Sequence, residues 1–155
     1  MLLAVLFIVN YERPSLFQAY SKLQTADQET YEELLHGSGW GYVKDKNSVH
    51  FYLGDGKNGY KFNELPGVDS DTFRLLGEHY GVDNNRVYWG WEIIEQADSK
   101  TFEVYFFPSK RSDFKYAKDA NHFYRSREIV SEDTEELFIE TYFTDANMST
   151  HELIK

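Results

Sequence analysis

The sequence predicts an α+β domain, mainly antiparallel β-hairpin repeats joined by short capped helical turns, with an N-terminal helix. Three observations predict it. Aromatic residues make up 17% of the 155 positions, as 3 Trp, 12 Tyr and 12 Phe, and such side chains favour pleated, half-buried strands. An Asp-x-Asn stretch flanked by aromatic and β-branched residues recurs three times. A second motif, Asp-x-x-Thr-aromatic, alternates with the first.

Met1 to Val9 is an unbroken apolar run, MLLAVLFIV. A membrane-spanning helix needs about 20 such residues, so this run is too short to cross a bilayer. It carries no basic leader and no small-x-small cleavage site, which makes it a poor signal peptide. It is expected to be a buried strand or the start of a helix, or else the remnant of a membrane anchor if the true start lies upstream. Pro14 ends the run. Leu16, Ala19, Tyr20 and Leu23 then follow helical spacing and predict a helix over residues 15–35.

The first motif occurs at Tyr42-Val43-Lys44-Asp45-Lys46-Asn47, at Tyr80-Gly81-Val82-Asp83-Asn84-Asn85 and at Tyr116-Ala117-Lys118-Asp119-Ala120-Asn121. Each time an aromatic stands three residues before the Asp, an Asn two after it, and an apolar-aromatic pair follows. Asp and Asn bond neighbouring backbone and tolerate left-handed conformations, so each stretch predicts the turn of a hairpin. The second motif occurs at Asp27 to Tyr31, Asp69 to Phe73 and Asp98 to Phe102, with a degenerate copy at Thr134 to Phe138. An Asp followed three residues later by Thr reads as a helix cap that pins the next aromatic into the core.

From turn Asp to the next pinned aromatic the gap is 28, 19 and 19 residues. The surplus in the first gap falls around Gly54 to Gly59, a turn-rich insertion of the kind repeats tolerate. One domain over residues 1–155 is expected, with units at about 27–68, 69–97 and 98–140.

These motifs resemble the bacterial DKNYY family. The resemblance rests on Asp45-Lys46-Asn47 with Val49 and Tyr52, on Asp83 to Tyr88, and on Tyr116 to Asp119 with Phe123-Tyr124. The Asp-x-x-Thr-Phe element is similar to the family's connecting element. The resemblance covers about residues 27–140; only the first copy reads Asp-Lys-Asn, and none has the full Asp-Lys-Asn-Tyr-Tyr. It implies a repeat protein of bacterial origin and, for some members, an association with toxin-immunity loci. It brings no catalytic residues to transfer.

Composition narrows the function classes. Acidic residues outnumber basic ones 26 to 16, a net charge of -10, which argues against a nucleic-acid partner, since phosphate contacts draw on a surplus of Lys and Arg. There is no cysteine, hence no disulfide, thiolate metal site or Cys nucleophile. Calcium loops need oxygen ligands at alternate positions, but Val87 follows Asp83 and Asn85, and Phe73 follows Asp69 and Asp71. No two of the five histidines stand four apart, as helical zinc sites require. Gly37, Gly39 and Gly41 lack the following Lys-Ser or Lys-Thr of a phosphate loop, and no Gly-x-Ser-x-Gly elbow occurs. Carboxylates are too numerous for any two to single out a glycosidase pair. No catalytic residue, metal or cofactor is expected.

Two surface features remain. Residues 128–140 hold six acids and no base, either a solvated face or a patch that captures a basic protein by charge. Glu132, Asp133, Glu135 and Glu136 are its expected binding residues. The expected function is therefore non-catalytic protein binding, in concrete form an immunity-type protein neutralising a basic toxin. The alternative is an envelope-associated carbohydrate-binding module using Tyr88, Trp89 and Trp91, with the two Trp two apart on one strand face. The location is open, with a cytoplasmic one favoured over an envelope-associated one.

Overall fold

The computed structural model describes residues 15–36, 39–56, 59–77, 79–105, 116–131, 133–134 and 153–154. The run Met1 to Val9 lies outside them. Among the described residues, three antiparallel sheets follow one another along the chain. The first comprises β1 (Glu32–His36), β2 (Trp40–Lys44), β3 (Val49–Gly54) and β4 (Tyr60–Glu64), paired in that order. The second comprises β5 (Arg74–Leu75), β6 (Tyr80–Val82), β7 (Val87–Trp89) and β8 (Glu92–Ile93). The third is built from β9 (Glu103–Tyr105), β10 (Tyr116–Lys118), β11 (Phe123–Arg125) and β12 (Glu128–Val130), with β13 (Leu153–Ile154) added beside β9.

The predicted turns join the central strands of each sheet. In all three, the turn Asp N–H donates to a carbonyl three residues on: Asp45 to Ser48, Asp83 to Arg86 and Asp119 to His122, each at 3.0 Å. The flanking strands pair in matching register, Val43 opposite His50, Gly81 opposite Tyr88 and Ala117 opposite Tyr124.

Period-two alternation gives each sheet two apolar faces. Tyr42, Val49 and Phe51 face forward from the first sheet and pack with Phe73 and Tyr88 of the second unit. Tyr80, Val82 and Val87 face forward from the second and pack with Phe102, Val104, Ala117 and Tyr124 of the third. On the backward face of the first sheet, Val43 and Tyr52 pack with Leu16 and Tyr20 of an N-terminal helix.

That helix, α1 (Leu16–Tyr20), is far shorter than the sequence predicts. Ser15 and Gln18 close a capping box at its start, but it ends after five residues, and Glu32–His36 is a strand. The chain leaves the helix because the Asp27 N–H is held by Asp45 and Glu32 pairs opposite Lys44. The Asp-x-x-Thr elements are single turns, closed by the Thr N–H on the Asp carbonyl at Asp69–Thr72 and Asp98–Thr101. Residues 131–134 also form a single turn, with the Thr134 N–H on the Ser131 carbonyl; the rest of the degenerate fourth copy, Glu135 to Phe138, lies outside the described residues. No helix among the described residues is long and apolar enough to cross a membrane.

Candidate functional site

The recurring aspartates are the most conspicuous polar groups, and all three are buried: Asp45 at 2%, Asp83 at 3% and Asp119 at 9% exposure. A buried carboxylate is tolerated only when its oxygens are hydrogen-bonded. Asp83 Oδ1 accepts the N–H groups of Asn85 and Arg86, both at 2.7 Å. Its Oδ2 accepts the Asp69 N–H at 2.9 Å and the Tyr88 hydroxyl at 3.1 Å. Asp119 repeats this with Asn121 and His122 on Oδ1 (2.8 and 2.7 Å) and with Asp98 N–H and Tyr124 hydroxyl on Oδ2 (2.9 and 2.8 Å).

Asp45 has the same cradle with one substitution. Asn47 and Ser48 donate to Oδ1 at 2.8 and 2.9 Å, and the Asp27 N–H donates to Oδ2 at 2.6 Å. The fourth donor is the Tyr20 hydroxyl from α1, at 2.9 Å. Five residues after Asp83 and Asp119 stand Tyr88 and Tyr124; five after Asp45 stands His50.

The threonines of the second motif tie each coil to its turn. Thr30, Thr72 and Thr101 hydroxyl oxygens accept the N–H of the residue after the turn Asp, at 2.9, 3.3 and 3.1 Å. Ser70 and Ser99 tie successive units, donating to the Lys46 and Asn84 carbonyls at 2.8 and 3.1 Å. Burial alone would raise the Asp45 and Asp119 carboxyls. The surrounding N–H groups and the Tyr20 or Tyr124 hydroxyl outweigh it and hold both below the ordinary range. Burial, and then the adjacent carboxylate, push the Tyr88 and Tyr124 phenols up.

With this geometry in place, the comparison with known families is decisive. The model of the DKNYY family matches residues 51–154. The chain belongs to the DKNYY family. The match begins inside β3, beyond the first turn, although Asp45 shares the cradle of its two successors apart from the Tyr20 hydroxyl. It runs past residue 140, where the sequence repeats the turn letters once more: Tyr142 three before Asp145, and Asn147 two after it. Those residues lie outside the described ones. No curated protein and no solved structure matches the chain.

Of the acidic residues expected to bind a partner, Asp133 is exposed, while Glu132, Glu135 and Glu136 lie outside the described residues. An open cleft of about 680 Å³ beside the third turn reaches into that acidic segment at Ile129 to Ser131, and Glu103, Lys118, Asn121 and His122 also line it.

The three expected sugar-stacking rings do not form one strip. Tyr88 is fully buried between the first two sheets. Trp89 ends β7, and Gly90 at φ 60 turns the chain, so Trp91 stands in the turn rather than two along the same strand. Trp89 stacks on His79 at 4.7 Å, His79 in turn lies 4.3 Å from Trp40, and Trp91, 38% exposed, leans on Phe51 at 5.6 Å. Among the described residues, no group of three His, Cys, Asp or Glu is placed to hold a metal ion.

The sequence does not reveal the Tyr20 contact, since 25 residues separate it from Asp45. The signal available was His50 standing where the other copies carry tyrosine.

Proposed function

We propose that this DKNYY-family chain is a non-catalytic binding protein whose acidic surface takes a basic protein partner, as an immunity protein would occlude a basic toxin. The observation that carries the reading is the division of its carboxylates. The three turn aspartates are consumed by at least four donors each, five at Asp45 with the Ser48 hydroxyl. A carboxylate so occupied has no lone pair left for a substrate or an ion. The net charge of -10 therefore acts largely from the surface, with Glu32, Glu33, Glu64, Glu92, Glu95 and Asp133 among the exposed acids. Such a field speeds encounter with a basic partner and disfavours acidic ones.

The test is a pull-down from the source cell, followed by association kinetics on the captured protein at rising salt. The reading expects a basic partner whose association rate falls steeply with ionic strength and drops again on replacing Glu132, Asp133, Glu135 and Glu136 with their amides. A partner whose rate ignores both salt and that fourfold change would overturn it.

A further inference from the structure

We infer that α1 is a removable key for the first unit: the unit 1 cradle is a binding site for a tyrosine carried on a separate segment, filled by Tyr20 because position 50 is histidine. Position 50 faces backward from its sheet, as Tyr88 and Tyr124 do from theirs. Tyr88 and Tyr124 use that orientation to reach their own turn aspartates. The His50 imidazole is shorter; its Nδ1 lies 3.4 Å from the Ser48 hydroxyl instead, leaving Asp45 Oδ2 one hydroxyl short from within the unit.

Tyr20 supplies that hydroxyl and also the ring. It is completely buried, packs edge-on against His50 at 5.4 Å and lies 5.0 Å from Tyr31, the pinned aromatic of the first coil. Phe73 with Tyr88, at 6.1 Å, and Phe102 with Tyr124, at 5.4 Å, are the same pairing in the later units. The backward face that the second and third units present to a preceding unit is presented here to α1. A five-residue helix has no stability of its own. Its docking therefore depends on Leu16, Tyr20 and the Asp45 bond, and its release uncovers Val43, Tyr52 and Phe62 on the first sheet.

Amide hydrogen exchange and thermal melting on Tyr20→Phe, His50→Tyr and the double variant test this. Loss of a hydrogen bond to a buried carboxylate is expected to speed exchange over residues 16–26 about tenfold or more in Tyr20→Phe, with units 2 and 3 unchanged. A tyrosine at position 50 restores the in-unit donor and competes for the same seat. Residues 16–26 should thus exchange fast in His50→Tyr too, and the double variant should melt above Tyr20→Phe while α1 stays loose. Wild-type protection of α1 in Tyr20→Phe would overturn the inference, even if His50→Tyr failed to fold. A double variant no more stable than Tyr20→Phe would overturn it as well.

Discussion

The Tyr80 hydroxyl donates to the Ser126 carbonyl at 2.6 Å; one unit earlier, the Tyr42 hydroxyl stands between the Gly90 carbonyl at 3.0 Å and the His79 carbonyl at 2.7 Å. Both tyrosines stand three residues before a turn Asp, and Gly90 and Ser126 stand seven residues after the next one. A tyrosine hydroxyl thus bonds across each unit boundary to a carbonyl of the next unit. A net contribution of about 1 kcal/mol is expected for each. Tyr42→Phe and Tyr80→Phe should each lower stability by about that amount in denaturant titration.

Gly90 and Ser126 also share a left-handed backbone, at φ 60 and 59. That region costs a non-glycine residue about 1 kcal/mol or more. Gly90→Ala should therefore destabilise by about 1 kcal/mol, whereas Ser126→Gly should leave stability unchanged or raise it. Melting temperatures of the two variants check the pair.

Gly81 has a different reason to be glycine. The Phe73 ring lies directly over its Cα, and an added Cβ would collide with the ring carbons. The equivalent positions in the other units are Val43 and Ala117. Gly81→Ala should cost about 1–3 kcal/mol, as overpacking does, and Phe73→Leu in the same chain should recover part of the loss.

Acid should weaken the fold in two stages. Burial holds the His50 pKa below 6.5, against the pull of Glu64 and Asp45. The unfolded chain then binds that proton first, so the contribution is intact above pH 6.5 and declines as pH falls below it. Asp45 and Asp119 sit below 3.8, so their contribution is intact above that value and is lost as pH falls through the folded values. Denaturant midpoints measured from pH 8 to pH 3 should show both stages, and His50→Gln should reduce the first alone.

The hairpins and their turns were legible because Asp-x-Asn determines its own local backbone: Asp45, Asp83 and Asp119 each bond the two N–H groups that follow within three residues. The coils were legible for the same reason, although a single turn was read as a capped helix. Contacts between distant residues were not. Helical spacing from Leu16 to Leu23 is satisfied by one short helix and a turn, and nothing local reveals that Asp27 and Glu32 are already engaged with β2 and its turn. The Trp89 and Trp91 spacing read as one strand face because the left-handed Gly90 between them has no signature beyond being glycine. Of the four acids expected to bind a partner, only Asp133 is among the described residues, and its exposure was legible from charge alone.

The central claim is that Asp45, Asp83 and Asp119 serve shape, and the stability of their amide variants tests it most directly. Asn keeps the acceptor for the turn N–H groups but sets an amide NH₂ against the two donors on Oδ2. Asp45→Asn, Asp83→Asn and Asp119→Asn should each lose about 1.5–3 kcal/mol in denaturant unfolding, by similar amounts. Three variants as stable as the parent, or one destabilised and two unaffected, would contradict the account.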